Sequence, residues 1–447
     1  MLAKSLAAEA TREIERLLGA DATQTLGDFE AAETAVRTAV LAVAARFVAE
    51  RLNADHSDQH AAGRPCRCGH TARYAGRRAK TIRTALGAMT IERAYYHCAS
   101  CRTGFCPRDR TLGIDETTLS PAATRMTAAA AARVSFKEAS TLLDELAGLA
   151  VDPKQVERTA EALGRAIAAD ERRAVEPEAH RVKPTLYLGM DGTGIPVRKA
   201  ETAQRQGKQP DGSAKTREVK LAVSWTAERR HPKTGIAMRD PDSVSYTAAI
   251  ETAASRDTDR EPSPFAQRVC REAERRRFAD ADRRVILGDG APWIWALADE
   301  CFPDAIQIVD IFHAKSHLWD VAKAIYTPGS DLAAQWAKQR RDELDAGRIS
   351  AIVAALAHHA PTCDEARKCI DYFIRNRKRM RYPAFRASGL CVATGVVEAG
   401  CKHAVGARLK RAGMHWSVNG ANAILALRCC ILSGRFEGFW ERRNAAA

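Results

Sequence analysis

Three carboxylates stand where a chain can present them to a ligand. Asp191 follows the apolar stretch Thr185–Met190 and enters Asp191-Gly-Thr-Gly194, Asp289 follows Val285-Ile-Leu and lies between Gly288 and Gly290, and Glu398 falls in the first turns of a helix opening after Thr394. Open sheets present their ligand sites at element ends, and a glycine beside an acid lets a metal or phosphate approach the backbone. Hard oxygen ligands grouped this way suit two Mg²⁺ (or Mn²⁺) ions about 3.5–4 Å apart, one activating an attacking oxygen and the other stabilising a leaving one. Taken singly, each acid has an ordinary explanation, an Asp-Gly turn or a glutamate at a helix dipole. Their combination points to phosphoryl transfer.

Cysteines form a second constellation. Five of the thirteen lie close in sequence, at Cys66, Cys68, Cys98, Cys101 and Cys106. Cys66-x-Cys68 and Cys98-x-x-Cys101 flank two alternating stretches, Thr81-Ile-Arg-Thr and Met89-Thr-Ile-Glu-Arg-Ala-Tyr-Tyr, joined across Leu86-Gly-Ala, which is a hairpin signature. Paired thiolates at two knuckles either side of a hairpin make the layout of a zinc ribbon, with Zn²⁺ held by Cys66, Cys68, Cys98 and Cys101. The first knuckle is one residue shorter than usual, so His70 or Cys106 is an alternative ligand, and reduced buried thiols are the alternative to zinc. An odd cysteine count without an export signal argues against a disulfide framework.

The elements that must position these groups follow from periodicity. Residues 1–60 read as a helical packing or oligomerising segment and 61–115 as the zinc-ribbon-like module. In 116–182, helices from Phe136 and Pro153 are joined by a turn at Gly148, either a helix-turn-helix or a plain helical hairpin. From 183 to 314, strands are expected at 185–190, 218–226, 243–250, 284–288 and 305–310, with helices at 264–279 and 292–301. This is an α/β fold with a mixed sheet flanked by helices. Residues 315–392 carry helical patterns without strand signals, and a last helical region runs from Thr394 to Trp440.

Several long segments, in order, carry a resemblance. Tyr187-Leu-Gly-Met-Asp-Gly-Thr-Gly194, Gly207-Lys-Gln-Pro-Asp-Gly-Ser-Ala-Lys-Thr-Arg-Glu-Val-Lys-Leu221, Leu287-Gly-Asp-Gly-Ala-Pro-Trp-Ile-Trp295, Val309-Asp-Ile-Phe-His-Ala314, Gly395-Val-Val-Glu-Ala-Gly-Cys-Lys-His-Ala404 and Met414-His-Trp-Ser417 resemble bacterial insertion-sequence transposases of the Kra family, in the Mutator-like group. The resemblance covers about 183–430. It implies an RNase H-like catalytic core with Asp191, Asp289 and Glu398 as a DDE metal-binding triad. It also implies an all-helical insertion at 315–392, with 393–447 returning to the core, and an accessory Asp-x-x-His at Asp310 and His313. In that role His313 contacts a phosphate or the leaving oxygen; otherwise it is a satisfied core histidine.

Charge agrees with a polyanion partner. The 447 residues carry 69 Lys and Arg against 55 Asp and Glu, a net charge of +14. Between Arg375 and Arg411 there are ten Lys and Arg and one acid, Glu398. Lys402, Arg408, Lys410 and Arg411 are therefore candidate contacts to DNA phosphate, and Trp416 either stacks on an exposed base or packs into the core. No apolar run approaches the ~18–20 residues that span a bilayer. The resulting expectation is a cytoplasmic, nucleoid-associated DNA transposase that binds double-stranded DNA at transposon ends and target, acts as a homo-oligomer and needs no membrane. A catalytically inactive, transposase-derived DNA-binding regulator and an RNase H-like nuclease are the alternatives.

Overall fold

Short apolar runs bounded by glycine, and amphipathic stretches opened by serine, set the elements of this chain. The computed structural model describes residues 28–59, 62–173, 175–177, 183–253 apart from 204, 208 and 211, and 262–445, with a few helical residues between 8 and 16. Most of the segment expected as helix before residue 28 therefore lies outside the described residues. The chain divides into two compact units, residues 1–160 with 438–447, and residues 161–437.

In the first unit a four-stranded antiparallel sheet runs β1 (Gly63–Pro65), β2 (Thr71–Thr84), β3 (Gly87–Cys98), β4 (Thr103–Phe105) in spatial order. The hairpin is longer than its alternating residues suggested, because β2 and β3 pair from Arg73 opposite His97 to Thr84 opposite Gly87. Gly87 has φ +119, a conformation open to glycine, where the turn closes. Helix α1 (Phe29–Ala54) packs on β3, and Ala45, Ile82, Met89, Ile91 and Ile114 form the core between them. Helices α2 (Pro121–Ala131) and α3 (Phe136–Ala147) follow. Ser135 and Glu138 make a reciprocal capping box at the start of α3, and Gly148 ends it in the left-handed conformation. Helix α4 (Pro153–Arg173) begins five residues later, so the expected two helices and glycine turn are present.

The second unit is built on a five-stranded sheet. Strands β5 (Thr185–Pro196), β6 (Thr216–Thr226) and β7 (Ser245–Ala249) form an antiparallel meander, and β8 (Arg283–Gly288) and β9 (Ile306–Val309) add parallel to β5, giving the order β9-β8-β5-β6-β7. Residues 185–190 are buried without alternation, as in a strand covered on both faces. Helices α5 (Pro264–Arg275) and α6 (Pro292–Cys301) lead into and out of β8. The span from Ile311 to Ala387 is helical throughout: α7 (Ile311–Ile325), α8 (Asp331–Asp345), α9 (Ile349–His359), α10 (Asp364–Asn376) and α11 (Tyr382–Ala387).

Two expectations change here. Strand β5 does not stop before Asp191 but continues to Pro196 against β6, so Asp191 lies within a strand, opposite Leu221. The last helical region is not continuous: α12 (Gly395–Gly400) passes into a π-helical turn at Cys401–Gly406 and one further turn, and α13 (Val418–Leu432) starts afresh at a serine cap, Ser417. Buried Arg428 donates to the carbonyls of His403 and Ala404 in the π turn. A side chain thereby meets main-chain oxygens that the widened turn leaves open.

Candidate active site

Strand register brings the two aspartates together. Strands β5 and β8 are parallel, with Val285 opposite Tyr187 and Leu287 opposite Gly189. The same offset carried two residues further sets Asp289 beside Asp191. Adjacent strands are about 4.8 Å apart, so each carboxylate lies in the other's field. Burial pushes the Asp191 carboxyl above its ordinary range; the Gly192 N–H, 2.6 Å away, pulls it back, and the charge of Asp289 raises it further.

The helix of Glu398 lies over the same strand. A Cβ on Gly189 would come within 2.3 Å of Val397 Cγ2 and 2.8 Å of Trp225, so α12 seats on β5 only because residue 189 has no side chain. Asp191 shares the face of Gly189, two residues along. Glu398 itself points to solvent, in an ion pair with Lys402 one turn on at 3.7 Å, with 63% of its side chain exposed. As the side chains stand, the three acids do not converge. Among the described residues, the one group of His, Cys, Asp and Glu whose ligand atoms all lie within 4.8 Å of one another is the cysteine cluster.

Asp310 is bound between two neighbouring helices. It is buried, caps α7 by accepting the His313 N–H at 2.6 Å, and accepts both the backbone N–H and the hydroxyl of Thr394, the hydroxyl at 2.7 Å. Thr394 is the residue from which α12 starts. Its carbonyl in turn accepts the N–H groups of Val397 and Glu398. Asp310, expected as an accessory element, thus has its oxygens taken up by the two helices that flank the acids. His313 is half-buried and favours the charged form of Asp191. Its ring packs 4.9 Å from His317, and His317 lies 4.2 Å from Tyr372.

Three residues at the centre escaped the sequence reading. Cys401 donates from Sγ to Asp191 Oδ2 at 3.4 Å, and burial pushes its thiol pKa well up, so it stays neutral there. Tyr372, from α10, donates to the Asp289 carbonyl at 2.9 Å and packs against Gly290. Thr394 is the third. None of the three carries a local signal; His317, four residues after His313, does, since that spacing puts both rings on one helix face.

Burial also corrects the DNA contacts. Arg408 is fully buried, its guanidinium 5.1 Å from the Trp416 ring. Trp416 is 6% exposed and donates from Nε1 to the Leu409 carbonyl at 3.0 Å. Both are core groups in this structure and not a stacking platform. Lys402 and Lys410 are exposed and Arg411 is half-exposed; Lys410 donates to Thr193, on the same strand face as Asp191. The basic stretch is likewise not one surface. Arg386 pairs with Asp345 at 2.9 Å, and Arg379 donates to Gln307 at 2.6 Å and lies over Trp295.

In the first unit the two cysteine knuckles meet. Cys66 Sγ lies 3.5 Å from Cys101 Sγ, and Cys68 Sγ lies 3.6 Å from Cys98 Sγ. A zinc ion with Zn–S bonds of about 2.3 Å spaces its sulfurs roughly 3.8 Å apart, so the four thiols already stand close to the edges of that tetrahedron. The short knuckle succeeds through a tight turn in which Cys66 N donates to the His70 carbonyl and Gly69 N to that of Cys66. The Thr103 hydroxyl and N–H pull Cys101 down to about 6, toward the thiolate a metal requires. Cys106 and His70 are outside the four-residue group.

No protein-family model and no curated protein matches the chain. A solved structure, the Drosophila P element transposase strand transfer complex, is similar at 10% identity with a TM-score of 0.25, over 75% of this chain and 83% of that one. A likeness this low leaves the site to be read from its own residues. No described helix is long and apolar enough to cross a membrane.

Proposed function

We propose that this chain is a DNA transposase of the DDE type, cutting and joining DNA strands by metal-dependent phosphoryl transfer. The observation that carries the reading is the register of β5 and β8, which sets Asp289 beside Asp191 under the helix of Glu398. Burial and the neighbouring charge of Asp289 raise the proton affinity of Asp191, a setting that a cation would relieve, and the hard oxygens of the two carboxylates suit Mg²⁺ or Mn²⁺. Asp191 and Asp289 would hold the metal, with Glu398 completing the set on leaving Lys402. A metal held by these residues would supply Lewis-acid activation of the attacking oxygen, from water in cleavage or a 3′-hydroxyl in joining, and charge stabilisation of the leaving one. His313 stands ready to contact a phosphate oxygen, and Lys402 and Lys410 to hold flanking phosphates.

The organisation that goes with this reading places recognition modules in 1–182, including the cysteine module with structural zinc. A catalytic core of 183–314 and 393–447 follows, split by the helical insertion. The partners are double-stranded transposon ends and target DNA, and the working form is a homo-oligomer. The membership consistent with the sequence motifs is the Kra family.

The test is a cleavage and strand-transfer assay on DNA carrying the element's terminal repeats. Asp191→Asn, Asp289→Asn and Glu398→Gln should each abolish Mg²⁺-dependent cleavage while end binding survives. Full cleavage by any of the three removes the assignment, and cleavage without strand transfer to a 3′-hydroxyl donor converts it to a nuclease.

A further inference from the structure

Beyond the acids, strand β5 runs on to Pro196 and delivers a second feature. Val197 bridges to Trp416, and Arg198 N donates to the Trp416 carbonyl at 2.9 Å, tying the start of the β5–β6 connection to the segment before α13. Between them opens a cavity of about 970 Å³ whose charged lining is Arg198, Lys199, Arg205, Lys215 and His415. Among its described lining residues there is no carboxylate. None of the four Arg and Lys side chains is paired with a described acid, and all four are exposed. The nearby Glu201 is already used, its carboxylate accepting the Val418 N–H at 3.1 Å where α13 begins. The field reaches neighbouring groups too: burial and then the charge of Arg205 lower the pKa of Arg217.

We infer that this cavity is a second DNA-binding site, which grips the phosphate backbone of a duplex already engaged at Asp191 and Asp289. The inference rests on the reading of the chain as a DNA-cutting enzyme. Four exposed cations spread around an open hollow suit a row of phosphates better than one small anion, which would call for a few converging, desolvated donors. The described lining has no Phe, Tyr or Trp, its one ring being the imidazole of His415, so the cations dominate and the contact is to backbone, independent of sequence. Val197 lies six residues beyond Asp191, at most about 20 Å at ~3.3 Å per strand residue. Phosphates on one strand of B-DNA recur every ~3.4 Å along the helix axis, so the edge of the pocket at Val197 lies within about six phosphates of the bond to be cut.

The test is the salt dependence of binding, measured by fluorescence anisotropy with a plain duplex and full-length protein in EDTA, where no cleavage intervenes. Each lost phosphate contact makes the log–log slope about 0.9 shallower. A variant with Arg198→Ala, Lys199→Ala, Arg205→Ala and Lys215→Ala should flatten the slope by about 3.6, and Lys199→Ala with Lys215→Ala alone by about half of that. A variant in which all four exchange Arg for Lys or Lys for Arg should keep the wild-type slope. Circular dichroism melts check that each variant is folded, and the two-residue variant decides if the fourfold one is not. A flattening of less than one unit in the folded two-residue variant, or less than two in the folded fourfold variant, overturns the pocket while leaving the catalytic reading intact. A flattened slope in a protein that never cleaves DNA keeps the pocket and removes the catalytic reading. A wild type with no salt-dependent DNA binding overturns both.

Discussion

One carboxylate oxygen of Asp310 receives both the N–H and the hydroxyl of Thr394, while the other oxygen receives the His313 N–H. Asp310 thereby joins the helix that presents His313 to the helix that presents Glu398, with Asp310 N anchored in turn on the carbonyl of Gly288, next to Asp289. Every oxygen lone pair facing these donors belongs to an acceptor, so an amide in its place must point an NH₂ at an N–H.

Asp310→Asn should therefore lower the turnover number for cleavage at least tenfold, about 1.4 kcal/mol of barrier, while DNA affinity changes less than twofold. Thr394→Ser keeps the hydroxyl and should stay near wild type; Thr394→Val loses it and should fall between the two. Stability measured in parallel should drop by about 1.5–3 kcal/mol for Asp310→Asn, the range for a hydrogen bond to a charged group. If the turnover loss in the folded fraction vanishes, Asp310 holds the fold together without setting the acids' geometry.

Trp416 gives a sharper contrast between a core and a DNA-facing role. With its N–H on the Leu409 carbonyl and its ring beside buried Arg408, Trp416→Ala should cost about 3–5 kcal/mol in urea unfolding. Trp416→Phe retains most of the packing and should bind DNA within twofold of wild type by anisotropy. Tenfold weaker binding by a Trp416→Phe protein of unchanged stability would return the ring to a base-stacking role.

The cysteine module should bind one zinc per chain. Metal analysis of purified protein should show it, Cys98→Ser and Cys101→Ser should each lose it, and a chelator should lower the melting temperature of the wild type but not of these variants. Cys106→Ser should change neither quantity, because Cys106 stands outside the group. Equal metal content in wild type and Cys98→Ser would leave the cluster as four reduced thiols.

What could be read from the sequence were features written locally. The apolar run before Asp191, the glycines around Asp289 and the hairpin between the cysteine pairs are contiguous, and a short stretch of chain is enough to fix their conformation. The partners of Asp310 and Cys401 were not legible, since Thr394 is 84 residues from the first and Asp191 is 210 residues from the second. The charge count between Arg375 and Arg411 misled for the same reason: it sees only chain neighbours, whereas Asp345 of α8 reaches Arg386 from outside the window and Arg408 turns into the core. The continuation of β5 past Asp191 was hidden by glycines that usually mark a turn; here Gly192 has Glu218, from the neighbouring strand, across the space a side chain would fill.

Acid stability should be set in part by Glu272, which is 1% exposed. Its carboxylate accepts from Ser245 Oγ at 2.5 Å, from Arg275 at 2.6 Å and from Arg435 at 3.1 Å to both oxygens. Burial alone would push its pKa up, but the charges of Arg435 and Arg275 and the Ser245 hydroxyl hold it below the ordinary value of 4.5. With the folded pKa below the unfolded one, the folded state binds fewer protons between them, so this stabilisation is present above about pH 4.5 and is lost as pH falls through the folded value. Glu272→Gln leaves buried Arg275 without its counter-charge and Arg435 with Glu171 alone, and should destabilise by about 3 kcal/mol at pH 7. In urea titrations the gap between wild type and Glu272→Gln should be widest at neutral pH and should narrow as the pH is lowered below about 4.5. A gap that stays constant from pH 7 to pH 3 would mean that the variant acts through packing and not through the ion cluster.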